Sequence, residues 1–392
     1  MTTAIQVQGT CKPGFERVKE AFEDNFASHG EVGAALALNV DGELAVDLWG
    51  GYADPQRTRP WEHDTIVNVF STTKGITTTC AHRLVDQGLL DLDAPVARYW
   101  PEFAQGGKET LPVRYLLSHQ AGLPCVKDLI PLERSYEWTA LTDALAAQEP
   151  WWEPGTRHGY HAFTFGHLVG EVIRRVSGKT AGAYFRDEIA TPLGLNFHLG
   201  TPATLHGRCA EMIPAALDEV DPDHPMAKAM MDPTSLTFKA FFLSPLPMVK
   251  PTYMNGPQWR EAEMPAANGH SDARSLAKLY GALARGGETP DGFRVLTQES
   301  IDTGREEHSY GEDAILLMPM RFGAGYHIDI PELQISPTGA IFGHAGMGGS
   351  FGYADPDANF GVGYVMNRMM LAGDMIDPRW AGMLDAIYDA VN

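Results

Sequence analysis

A chain of 392 residues, 44% of them hydrophobic, is long enough to bury a large core in one domain or in two closely joined ones. Its 30 basic against 50 acidic residues give a formal charge of −20 with no Lys/Arg cluster, which argues against nucleic-acid or anionic-membrane partners. No apolar run approaches a membrane span, the opening residues lack a charged segment followed by an apolar core, and Cys11, Cys80, Cys125 and Cys209 form no C-x-x-C pair, so the expectation is a cytoplasmic protein with free thiols and neither metal nor cofactor.

In chain order, Phe15, Val18, Phe22 and Phe26 recur at helical spacing after Pro13-Gly14 and predict an amphipathic helix. "GAALALNVDGELAVDLWGGYAD" reads as two strands joined by a turn at Asp41-Gly42. From Thr72 to about Asn268 the pattern is helical and loop-like, with helices expected over 76–87, 111–118, 163–176 and 180–189. The stretch from Pro214 to Gly269 is rich in Met, Phe and Pro without a sustained period, and suits either a long loop sealing the core or an adaptable apolar wall for a substrate. Strands return from Arg321 onward in "RFGAGYHIDI", "AIFGHAGMG", "GSFGYAD" and "FGVGYVMNRM". A final helix carries Trp380, Met383, Leu384, Ile387, Tyr388 and Val391 on one face.

Strands at both ends and a helical middle predict an α+β protein: one central antiparallel sheet, flanked by helices, with a mainly helical insertion. The expected division is 1–71 plus 265–392 for the sheet domain and 72–264 for the insertion, with a site in the cleft between them.

Two serines compete for the role of nucleophile. "GGSFG", Gly348 to Gly352, matches G-x-S-x-G, but that motif needs a helix after the serine and a histidine downstream. Ser350 is instead followed by strand, turn and strand, and no histidine lies beyond His344, so the match is read as a glycine-rich hairpin. In "NVFSTTKGITTT", Ile76, Cys80, Ala81, Leu84 and Val85 form a helical face that ends at Gly88. A helix beginning at or just after Ser71 places Lys74, three residues on, beside the Ser71 hydroxyl. The helix N-terminus also supplies a positive dipole end and a free N–H at that serine.

"FSTTKG", "VRYLLSHQAGLP" (Val113 to Pro124), "WEPGTRHGYHAFTFGHLVGEVI" (Trp152 to Ile173) and "FGHAGMGG" (Phe342 to Gly349) follow one another in the order and spacing of the serine β-lactamase and penicillin-recognising hydrolase superfamily. Over nearly its whole length the chain most resembles the family VIII carboxylesterases, relatives of class C β-lactamases and D-aminopeptidases. The resemblance implies a β-lactamase-like fold, a Ser71 nucleophile, Lys74 and Tyr160 as its catalytic partners, and oxyanion-hole N–H groups on Ser71 and Met347. His344-Ala345-Gly346 corresponds to the family's Lys-Thr-Gly, so His344 and Gly346 line the site. Ala162 stands where lactamases carry an asparagine. Those two departures, with no export signal, count against efficient β-lactam binding.

The implied substrate is a small carboxylic ester, cleaved through an acyl-enzyme on Ser71; a β-lactam or D-amino-acid amide on the same site, or a non-catalytic relative, are the alternatives. Free Lys titrates near about 10.4 and Tyr near about 10, so bringing either into service as a base at neutral pH takes roughly 4 kcal/mol. Burial of Lys74 supplies that much, and so does a lysine cation beside Tyr160, which leaves the choice of base open.

His344 either acts near Tyr160 or makes a structural bond on its strand. His158, His161 and His167 lack H-E-x-x-H or paired carboxylates and are read as packing residues. Ser118 is read as a helix-end residue, and Trp151, Trp152 and Tyr253 either line a pocket or sit in the core.

Overall fold

A computed structural model describes residues 5–128, 130–131, 134–215, 222–243, 251–370 and 377–391. Nine antiparallel strands form the main sheet in the order β1-β3-β2-β12-β11-β10-β9-β8-β7. They are β1 (Gln8–Cys11), β2 (Gly33–Val40), β3 (Glu43–Gly51), β7 (Ser309–Glu312), β8 (Pro319–Phe322), β9 (His327–Ile328), β10 (Phe342–Ala345), β11 (Phe351–Asp355) and β12 (Phe360–Met366). β2 and β3 are the expected hairpin, turning through Asp41 (φ 52°) and Gly42 (φ 87°). β12 pairs with β2 from Phe360↔Val40 to Met366↔Ala34, so the two ends of the chain meet at the centre of the sheet.

Alternation along β12 sends its two faces to different layers. Tyr364 meets Phe22 of helix α1 (Glu16–Ser28) edge-on on one side. On the other, a methyl at Gly361 would lie 1.9 Å from the backbone of Gly281, and one at Gly363 would lie 2.4 Å from the Ala273 carbonyl. Only glycine lets the helix Ala273–Ala284 settle this close to the strand.

That helix, ten of its twelve residues buried, was not foreseen from the sequence, nor were β7 or the small sheet of β4 (Val67–Asn68), β6 (His270–Ser271) and β5 (Phe197–His198). The expected helix over 76–87 is longer at its start: α2 runs Thr72–Asp86, because Thr72, Thr73 and Lys74 are buried as well as the apolar face. The 111–118 helix is shorter, Val113–Leu117, since Pro112 holds an extended backbone at its entry. The 163–176 helix runs Thr164–Ser177 and stops at left-handed Gly178. The 180–189 segment is α-helical only over Ala181–Phe185 and then widens into a π-turn, Arg186–Ala190.

Within 214–269 there are short helices, Pro225–Met231, Leu236–Phe238, Pro251–Met254 and Pro257–Glu261, while 216–221 and 244–250 lie outside the described residues. The final helix is Pro378–Val391, with Trp380, Met383, Leu384, Ile387 and Tyr388 buried and Val391 half-buried. No described helix is long and apolar enough to cross a membrane.

α2 is buried on nearly every side, which explains its threonines. The Thr77 hydroxyl donates to the Pro265 carbonyl (2.5 Å) and Thr78 to the Gly325 carbonyl (3.0 Å), so a polar helix is threaded through the core with its donors satisfied by loops far away in the chain.

Candidate active site

Ser71 stands at the N-terminal end of α2, in helical geometry (φ −67°, ψ −11°). The residue before it, Phe70, is buried at φ 43°, a left-handed conformation unfavourable for a bulky side chain. This sharp turn brings the chain from β4 into the helix and aims the serine outward from the bend.

Lys74 is fully buried, one turn along α2. Its Nζ lies 3.0 Å from Ser71 Oγ, 2.8 Å from the Ala162 carbonyl and 3.0 Å from the Ala266 carbonyl. Among the described residues no carboxylate pairs with it, and burial pushes its pKa well below the ordinary lysine range. Carbonyl oxygens only accept. A neutral amine therefore spends its two hydrogens on Ala162 and Ala266 and turns its lone pair toward the serine hydroxyl.

Tyr160 is brought to the same point. Lys74 Nζ sits 4.6 Å from the centre of its ring, and Phe322 stacks on the ring at 6.2 Å. Burial raises the phenol's pKa, a hydrogen bond with Ser71 works against that, and the Asp313 charge adds to the rise. Both ionisable groups are thus driven to their neutral forms. The alternative of a lysine cation stabilising a phenolate is disfavoured by the same desolvation that favours the free amine.

The turn after β10 closes the site from the sheet side. A methyl on Gly346 would fall 2.2 Å from the Val69 carbonyl and 2.3 Å from Ser350 Oγ, so only glycine lets this loop press against the residues leading to Ser71. The N–H groups of Ser71 and Met347 donate to no other described residue. Ser350, the rival nucleophile, is buried; its hydroxyl donates to the Val69 carbonyl (2.8 Å) and lies 3.2 Å from Thr72 Oγ1. Its place is a hairpin between two strands, with no helix behind it.

His344 is buried beside Tyr160, ring centres 6.1 Å apart, with Nδ1 2.6 Å from the Ala345 carbonyl. Burial holds its pKa well below the usual histidine value, so the imidazole is neutral. Ala162 contributes its carbonyl to Lys74. Trp152 donates its indole N–H to the Arg157 carbonyl (3.1 Å) and packs so closely on Gly159 that a methyl there would meet the ring at 2.7 Å, which braces the segment carrying Tyr160. Tyr253 is half-buried in Pro251–Met254 near Tyr136, and no hydrogen bond or ring contact among the described residues joins it to Ser71, Lys74 or Tyr160.

One supporting residue, Asp313, has no local sequence signal, and the histidines and Ser118 take packing and helix-end places. Asp313, fully buried, accepts from the backbone N–H groups of Tyr160, Ile315 and Leu316, each at 2.9 Å. His119, at φ 62°, accepts the His161 N–H through Nδ1 (3.0 Å), and His161 in turn accepts from Leu123 N–H (3.0 Å). His158 lies 3.8 Å from Asp313, and His167 packs against Trp138. Ser118 bonds the Arg114 carbonyl at 2.9 Å and Gln120 at 2.8 Å.

The beta-lactamase family profile matches residues 18–385. The esterase/beta-lactamase LipL of Mycobacterium tuberculosis is 39% identical over 373 residues, 93% of this chain and 84% of the relative. A crystal structure of a family VIII carboxylesterase superposes with a TM-score of 0.88 at 40% identity, covering 98% of this chain and 100% of the other. A penicillin-binding-protein homologue from Caulobacter crescentus superposes at 0.87, 39% identical, with 98% and 100% covered. With a half-buried serine bonded to a fully buried lysine at the head of a core helix and this likeness along nearly the whole chain, the protein belongs to the beta-lactamase family, in the company of the family VIII carboxylesterases.

Proposed function

We propose that the protein is a carboxylesterase that cleaves small esters through an acyl-enzyme on Ser71. The observation that carries this reading is the Lys74 amine, stripped of solvent, pinned by two carbonyls and 3.0 Å from the serine hydroxyl. As Ser71 Oγ attacks the ester carbonyl carbon, its proton passes to Lys74. The carbonyl oxygen, now negative, is received by the N–H groups of Ser71 and Met347. The carbon–alkoxide bond then breaks, the alcohol leaving with a proton from the Tyr160 phenol, which Lys74 resupplies. Water attacks the acyl-enzyme, gives its proton to the same pair, and the carboxylic acid departs as Ser71 is restored.

A β-lactam or D-amino-acid amide is the second reading, since LipL is named both an esterase and a beta-lactamase and one structural relative is described as a penicillin-binding-protein homologue. A substrate carboxylate needs a cation, and the residue in the motif's lysine position is a neutral, buried His344. Ala162 offers a substrate amide only a methyl, because its carbonyl already serves Lys74. Both features favour an ester.

We also read the chain as a sheet part, 1–71 with 265–392, and an insertion, 72–264, with the site in the cleft between them: Lys74, Tyr160 and Ala162 come from the insertion, Ala266, His344, Gly346 and Met347 from the sheet part. Four unpaired thiols suit the reducing cytoplasm, and the charge of −20 suits a small-molecule partner over a nucleic acid.

The test is a panel of nitrophenyl esters of varied acyl length and a chromogenic cephalosporin, measured on wild type and Ser71→Ala, with fluorophosphonate labelling alongside. Turnover of short esters that vanishes with Ser71, together with labelling at that residue, is expected. Faster cephalosporin hydrolysis would favour the lactam reading, and no labelling would favour a binding protein.

A further inference from the structure

The turn that carries Met347 is held from behind by the last helix of the chain. Gly348 (φ 90°) and Gly349 (φ 123°) adopt backbone that only glycine takes readily. The Gly348 carbonyl accepts from Arg379 Nη2 (2.5 Å) and from Met370 N–H (3.1 Å), and the Gly349 carbonyl accepts from the Trp380 indole (2.7 Å). Arg379 is fully buried and is itself fixed by Asp377, through Nε (2.9 Å) and Nη2 (2.6 Å), and by Glu31, through Nη1 (2.8 Å). Glu31 in turn accepts from Tyr364 of β12. Two carboxylates and a guanidinium are therefore buried where the cluster touches none of Ser71, Lys74 or Tyr160 by hydrogen bond among the described residues.

A trans peptide points its C=O and N–H in opposite directions. Arg379 draws the Gly348 carbonyl one way, so the Gly349 N–H of the same peptide points the other way, and it donates to the Gly346 carbonyl at 3.1 Å. That carbonyl belongs to the Gly346–Met347 peptide, so its direction sets where the Met347 N–H points. The linkage is guanidinium to Gly348 C=O, Gly349 N–H to Gly346 C=O, and Met347 N–H to the site.

We propose that Arg379, held by Glu31 and Asp377, is a positioning residue that orients the Met347 N–H for the oxyanion through the hydrogen-bonded Gly348–Gly349 and Gly346–Met347 peptide planes, with Trp380 steadying the same turn. This rests on the reading of Met347 as an oxyanion donor. An oxyanion donor acts in the transition state more than in substrate binding, so its misorientation lowers kcat and leaves KM in place.

The experiment compares wild type, Arg379→Met and Trp380→Phe on a matched ester and thionoester, with active sites counted by fluorophosphonate titration so that only folded enzyme is scored. Sulfur is larger and a weaker acceptor, so an oxyanion hole discriminates against the thionoester. Arg379→Met is expected to lower kcat per titrated site at least about tenfold with KM nearly unchanged, and to shrink the ester-to-thionoester ratio in proportion. Trp380→Phe, which keeps an aromatic side chain but loses the indole N–H bond to the Gly349 carbonyl, is expected to shift both in the same direction by a few-fold; it decides the matter if Arg379→Met yields no titratable sites. Unchanged kcat per site and unchanged discrimination in the variants overturn the positioning role. If wild type itself shows no discrimination, the Met347 reading fails first, and the positioning role with it.

Discussion

Replacing Lys74 with Met probes the charge state on which the chemistry turns. Met keeps an unbranched stem, so the space between α2, Ala162 and Ala266 stays filled while the amine and its three hydrogen bonds are removed. Loss of a general base lowers kcat/KM by roughly 10²–10⁴, about 3–5 kcal/mol in the barrier. Stability responds in two opposed ways. The Ala162 and Ala266 carbonyls lose a donor, at about 1–3 kcal/mol each. Burial, however, holds the folded Lys74 pKa well below its unfolded value, so between those two pKa values the unfolded chain binds a proton that the folded chain does not.

The sign follows: wild-type stability falls as pH drops below about 10.4, by about 1.4 kcal/mol per pH unit, until the folded amine itself protonates. The Met variant carries no such penalty. As pH falls from about 9 toward about 7 it should therefore gain steadily on wild type, read by urea unfolding at each pH. A stability difference that stays constant over this range would mean that Lys74 bears the same charge folded and unfolded, and would refute the neutral-amine argument. A kcat/KM within about threefold of wild type would remove Lys74 from the chemistry altogether.

Ser71→Ala should abolish ester turnover, whereas Ser350→Ala should retain most of it and lose about 1 kcal/mol of stability with the bond to the Val69 carbonyl; equal losses in a steady-state assay would reinstate Ser350 as a nucleophile. Asp313→Asn removes the charge from an oxygen that accepts three backbone N–H groups, and thermal unfolding should show a loss of about 1–3 kcal/mol, with kcat reduced because Tyr160 is one of the three. An unchanged kcat would dissociate Asp313 from the placement of Tyr160. Lys108, buried far along the chain from the site residues, donates to the carbonyls of Gln105, Ala146 and Gln148. Lys108→Met should cost about 2–5 kcal/mol in denaturant unfolding and leave KM and kcat per folded molecule as they were.

What could be read along the chain was local. The 3.6-residue period of α1 and α2, the Asp41-Gly42 turn and the three-residue spacing that sets Lys74 beside Ser71 depend on neighbours within one or two turns of backbone, and they are legible for that reason. The helix Ala273–Ala284 does carry a local signal, Leu276, Leu279, Tyr280 and Leu283 at helical spacing behind the Asp272 cap, whereas the two-residue strands of the small sheet are too short to show a period.

Other features were decided only by the folded chain. Whether Lys74 or Tyr160 holds the proton depends on desolvation, and that comes from Ala162 and Ala266, 88 and 192 residues away from the amine. Asp313 reaches Tyr160 across 153 residues, and Arg379 reaches Gly348 across 31. Spacing in a sequence records which side chains share a helix face; the dielectric around an amine, and the direction in which a peptide N–H points, are set by atoms that only tertiary packing brings near.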